Sequence, residues 1–178
     1  KSTKKIAIFD YENNLKGLKQ FPYHDYPLNQ IGGTHLNTIQ FLSDMHPVRS
    51  ISEAEGFISR VNLVKEVYEG TVKDLEKQAD SGIFPPEFVY NHVIEQLNEF
   101  INFNYEEHPL FTQFMKKVKD LSLDSEKEFL FEEAIKRGID ESVTPGFILL
   151  KDFMVKTQKS ANKNHGIWSQ PNGDEYYK

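Results

Sequence analysis

The sequence predicts an all-α protein. It would be an irregular array of helices joined by long loops rich in Pro, Gly and aromatic residues. Three observations point there. Apolar residues recur in steps of three and four over most of the chain. Helix starts and stops punctuate those stretches at sensible intervals. No pair of alternating apolar and polar runs suggests two strands.

The first element is a helix over residues 1–20, with Ile6, Ile8, Phe9, Tyr11, Leu15 and Leu18 as its apolar set, ending before Pro22. Residues 21–34 are read as an irregular loop. Pro22 and Pro27 push their preceding residues toward extended backbone, and Gly32-Gly33 permits a sharp return. A short helix from His35 to Met45 follows, stopped by Pro47.

A long helix is expected over 52–82. Ser52-Glu-Ala-Glu55 has the capping-box form, and Gly82 terminates it. Gly56 and Gly70 lie near one another in angle on this helix. Each costs about 1 kcal/mol against alanine, so a neighbouring helix is expected to pack closely along that line. Pro85-Pro86 opens the next helix, with Val89, Val93, Leu97 and Phe100/Ile101 inward. "EEHPLFTQFMKKVKDL" forms a shorter one, burying Leu110, Phe114, Val118 and Leu121. Ser125 and Glu128 suggest a second capping box. It opens a helical region to Lys159, bent near Pro145 because an interior proline loses a hydrogen bond. Residues 161–174 are a second irregular loop, where Pro171-Asn172-Gly173-Asp174 is strong turn chemistry. "DEYYK" then reads as the first turn of a helix capped by Asp174.

Composition narrows the function classes. The 178 residues are 38% hydrophobic and 27% charged, which suits one globular unit. A chain of this length can bury about 70% of the surface its unfolded form exposes. The net charge of −6, without a basic stripe beyond "KSTKK", argues against nucleic-acid binding. No apolar run approaches the roughly 18 residues of a membrane span. Absence of cysteine removes disulfides, thiol catalysis and thiolate metal sites. Lys1 at the start leads us to expect that the natural N-terminus was trimmed or lies upstream.

Catalytic groups are sparse. His24, His35, His46, His92, His108 and His165 show no dense zinc spacing. Satisfied structural histidines are the simpler reading, since a metal needs at least three converging ligands. Glu106-Glu107, Glu126/Glu128 and Glu132-Glu133 fall among lysines on polar helix faces. No serine sits in G-x-S-x-G, and no glycine loop has phosphate-binding form. What stands out is "FPYHDYPLNQIGGTH" at 21–35 and the aromatic end of the chain, with Trp168, Tyr176 and Tyr177. Such rings combine apolar area with polar tips. They either plug gaps between helices or form a binding surface.

In this order, "FPYHDYPLNQIGGTHLNTIQFLSDMHPV", "YNHVIEQLNEFI" and "GIWSQPNGDEYY" resemble the front half of a large bacterial family, domain of unknown function 885. The resemblance covers nearly the whole chain. Its members are several hundred residues long, mostly helical, and often exported or classed as lipoproteins. Their later part carries an H-E-x-x-P-G-H type element, so they look like zinc-dependent peptidases or hydrolases of a helical-cleft type. That element is absent from these 178 residues. The resemblance therefore transfers no catalytic residue and no metal ligand here, and places any zinc in a C-terminal part. It implies that residues 1–178 are the N-terminal segment of a larger exported, periplasmic or cell-envelope lipoprotein. They would form part of the wall of a cleft for a peptide substrate. The cleft candidates are Tyr23, His24, Tyr26, Asn29, Gln30, Trp168, Asn172 and Tyr176, and the expected partner is the C-terminal half of the same protein. A different class of function, a stand-alone helical module binding a peptide or partner helix in a groove, stays open from the sequence. A part of a larger protein should expose a large apolar patch where a complete module should not.

Overall fold

The computed structural model describes residues 2–176. Tyr177, one of the terminal rings, lies outside the described residues. Helices dominate, as expected, and the sole β contact among the described residues is an isolated bridge between Pro86 and Asn162. In order they are α1 (Ser2–Gln20), α2 (Thr34–Gln40), α3 (Ile51–Val61), α4 (Val64–Asp80), α5 (Glu87–Asn102), α6 (Pro109–Lys119), α7 (Ser125–Gly138), α8 (Thr144–Thr157) and the four-residue α9 (Gly173–Tyr176). Single π turns extend α2 through Phe41–Met45 and join α7 to α8 through Ile139–Val143.

The expected 52–82 helix is two helices. The break falls at Asn62-Leu63 because another part of the chain invades it. Gly138, at the end of α7, sits so close that a Cβ there would meet Val61 Cγ1 at 2.8 Å and Asn62 Oδ1 at 3.0 Å. The buried Ser142 hydroxyl accepts a hydrogen bond from Lys65 N at 3.0 Å, satisfying one of the free amides at the start of α4. A cap supplied from 77 residues away leaves no local signal.

Both capping boxes are shifted. Ser50 caps α3, accepting from Glu53 N, while the Glu53 carboxylate accepts from Arg49 N at 2.6 Å. Ser50 and Ser52 each stand three residues before a Glu, so the pattern alone does not choose. Asp124, rather than Ser125, caps α7 through its bond from Lys127 N. That places Glu126 and Glu128 in the first turn, where the helix dipole favours them. At α9 the Asn172 carbonyl, not Asp174, accepts the first amides, from Glu175 and Tyr176.

The Gly56–Gly70 line is not a helix contact. Nothing lies within 4 Å of a Cβ placed on Gly70, and only the Arg60 guanidinium approaches Gly56. The close crossing is made instead by Gly146 of α8, where a Cβ would meet Tyr68 Cδ2 at 2.8 Å and Lys65 Cα at 3.3 Å. So α8 lies against α4, and α5 packs on α8 through stacked Phe100 and Phe147, centroids 4.8 Å apart. Phe57 stacks on Phe114 at 4.6 Å, tying α3 to α6. Phe57, Tyr68, Tyr90, Phe114 and Phe147 are fully buried, each worth roughly 1.5–3 kcal/mol of burial.

α1 stands apart from this core. It has the expected length, and no side chain on it is buried. Its whole apolar set is exposed.

Candidate functional site

The 21–35 segment lies over α4 and α5, held by buried or half-buried amides that the sequence reading passed over. Gln78 of α4 donates to the Tyr23 carbonyl at 2.6 Å and to the Asp25 carbonyl at 2.9 Å. Gln96 of α5 donates to the Gln30 carbonyl and accepts from His35 Nε2 at 3.0 Å. The Tyr68 hydroxyl completes that chain by donating to the His35 carbonyl. Leu28 anchors the segment in the core. A signal for these amides did exist. Gln78 and Gln96 each stand three residues after a core position, Leu75 and Val93, and so lie near the buried stripe.

The double-glycine turn is built by its own side chains. Asn29 Oδ1 accepts from the Ile31 and Gly32 amides, and Asn29 Nδ2 donates to the Tyr26 carbonyl. Asn37 donates to the Gly32 carbonyl at 2.7 Å. Gly33 is required by space: a Cβ would strike Asn29 N at 2.7 Å and the His35 ring at 2.8 Å.

The C-terminal loop comes back onto this segment. His24 Nε2 donates to the Pro171 carbonyl at 2.7 Å. Its ring stacks on Tyr176, centroids 4.9 Å apart, with Phe21 edge-on to both. The Tyr176 hydroxyl donates to Asp25 at 3.3 Å. Gln170, also missed in the sequence, is buried between the two. Its amide donates to the Tyr26 hydroxyl at 2.9 Å and to the Phe84 carbonyl at 2.6 Å. Burial raises the Tyr26 phenol above its ordinary pKa, and burial with the neighbouring Asp25 does the same for Tyr176. Both therefore stay neutral hydroxyls at physiological pH.

The eight candidates thus divide. His24, Tyr26 and Tyr176 meet in one patch, with Asn172 at its exposed edge in a left-handed turn at φ 57°, while half-buried Tyr23 is held to Gln78 through its backbone carbonyl. Asn29 and the backbone of Gln30 serve the turn. Trp168 is 63% exposed and folds over Gly166. Beyond the turn an open, largely apolar groove of about 460 Å³ begins at Thr34 and Asn37 and runs between Phe41, Leu63 and Val67.

This patch offers rings, hydroxyls and one carboxylate. Among the described residues no three His, Asp or Glu converge as metal ligands. The orphaned nitrogens His24 Nδ1, His35 Nδ1 and His108 Nε2 are buried singly and in different places. The described residues therefore do not fit a zinc ion.

No curated protein matches the chain. The crystal structure of a protein described as "the putative lipoprotein from Colwellia psychrerythraea" shares the fold, with a TM-score of 0.82 at 22% identity. The match covers 85% of this chain and 26% of that one, so the chain spans about a quarter of that relative's length. Among the described residues no helix is long and apolar enough to cross a membrane. Residues 2–178 match the family model described as "Bacterial protein of unknown function (DUF885)", and the chain belongs to that family.

Proposed function

We propose that residues 1–178 are the non-catalytic N-terminal portion of an exported zinc-dependent peptidase or hydrolase. The 21–35 segment and the 161–174 loop with Tyr176 would form part of its substrate-cleft wall. The observation that carries this reading is the junction of the two segments. His24 meets Pro171, Asp25 meets Tyr176, and Tyr26 meets Gln170, across separations of 144–151 residues. Loops so far apart in sequence, fixed by buried amides, make a rigid surface of rings and hydroxyls. Such a surface can pack on an extended peptide and hydrogen-bond it. The adjoining groove past Phe41 and Leu63 suits an apolar side chain of the same peptide.

Zinc, where present, would be held by ligands outside these residues, and it would supply an activated water. Family membership, the lipoprotein relative and its greater length support a cell-envelope location and a larger protein. The alternative of a finished interaction module fits poorly with six large apolar side chains exposed on one helix.

The test is metal content and peptide turnover of the full-length protein. We expect about one zinc per chain and cleavage of a mixed oligopeptide pool, abolished by a chelator and restored by zinc. Residues 1–178 produced alone should bind no zinc stoichiometrically. A full-length protein free of zinc after zinc-supplemented expression, and inert toward the pool, removes the reading.

A further inference from the structure

α1 is the feature that the 21–35 surface does not explain. It runs for 19 residues without one buried side chain. A helix of that length, left alone in water, is marginal; packing of an apolar face normally supplies its stability. Its apolar residues are not scattered. Ile8, Tyr11, Leu15 and Leu18 follow steps of three, four and three, the spacing of a helix-packing seam. They are 45–72% exposed. Ile6 and Phe9, 61% and 62% exposed, lie roughly 140–160° around the helix from that seam. α1 therefore presents apolar surface on two opposite sides.

We propose that α1 is inserted between helices of the polypeptide that follows residue 178, with the Ile8-Tyr11-Leu15-Leu18 seam against one and Ile6 and Phe9 against another. This rests on reading the chain as one part of a larger helical protein. Two features select that occupant. A second copy or a lipid surface covers one face of a helix and leaves the other wet, whereas insertion covers both. The seam also spans only two heptads, short of the three or four that sustain a coiled coil between separate chains. The solved relative is about four times as long as its matched stretch, so it has chain enough to supply the neighbours.

The test is hydrogen exchange along α1 in the full-length protein, without substrate or added metal. α1 amides should exchange at least about 100-fold more slowly than the unstructured rate, at every protein concentration. Leu15→Glu and Phe9→Glu should each cut that protection about tenfold or more, while Asn14→Glu, off both faces, leaves it intact. Three results overturn the proposal. α1 could exchange at close to the unstructured rate. Its protection could rise with concentration alongside a dimer that Leu15→Glu dissociates, making a second copy the occupant. Or protection could appear only with phosphatidylglycerol–phosphatidylethanolamine vesicles, making it the membrane. The readout is independent of the hydrolase reading. A protected α1 in a protein that cleaves nothing keeps this proposal and removes the other, and an unprotected α1 in an active hydrolase does the reverse.

Discussion

Single side chains decide whether the two motif segments stay joined. Gln170 is the clearest, since its amide serves both Tyr26 and the Phe84 carbonyl from a buried position. Gln170→Leu keeps much of the volume and strips the partners. It should cost about 1–3 kcal/mol, because buried polar groups are left unpaired. Tyr26→Phe removes one hydroxyl from the same network and should cost less; a double-mutant cycle in urea unfolding measures their coupling. His108 gives a second residue-scale prediction. Its Nδ1 accepts from Leu110 N as the cap of α6, so the ring must be neutral there. Burial lowers its pKa from 6.5 to about 4, and burial lowers His35 in the same direction. The folded state thus binds fewer protons than the unfolded one between those values. Stability should be complete above about pH 6.5, fall as pH drops toward 4, and lose no more from this group below that. His108→Asn keeps a capping side chain without a titrating ring. It should flatten the slope of unfolding free energy against pH across that window.

At the scale of elements, the contrast between two glycines tests the packing. Gly146 faces fully buried Tyr68 and the backbone of Lys65, neither of which can retreat. Gly146→Ala should destabilise by about 1–3 kcal/mol through overpacking. Gly70 is exposed with open space around it, so Gly70→Ala should stabilise by about 1 kcal/mol. Thermal unfolding of both variants should move in opposite directions. The same contrast shows what the sequence could and could not reveal. Helix existence was legible, because the i, i+3, i+4 pattern is local; Val89, Val93 and Leu97, and Leu110, Phe114 and Val118, are buried as read. The split at Asn62 was not, because Ser142 and Gly138, distant in sequence, impose it by direct contact. The 21–35 segment was conspicuous by composition, while the bonds that join it to the C-terminal loop span 144–151 residues. Its fastenings were hidden, because Gln78 and Gln96 read as polar-face residues although they stand near core stripes.

The whole molecule is a helical core carrying one pinned loop surface and one helix with two uncovered apolar faces. The central claim is that the 21–35 surface exists for a ligand and not to fill the core beneath it. Tyr23 tests this most directly, since it is half-buried and Gln78 holds it through its backbone carbonyl. The measurement is Tyr23→Ala in the full-length protein, with unfolding midpoint and peptide turnover per folded molecule read on the same preparation. The account predicts a small change in stability and a loss of turnover of about tenfold or more. A stability loss of about 3–5 kcal/mol, as for a truncated core aromatic, with turnover per folded molecule unchanged, would contradict it.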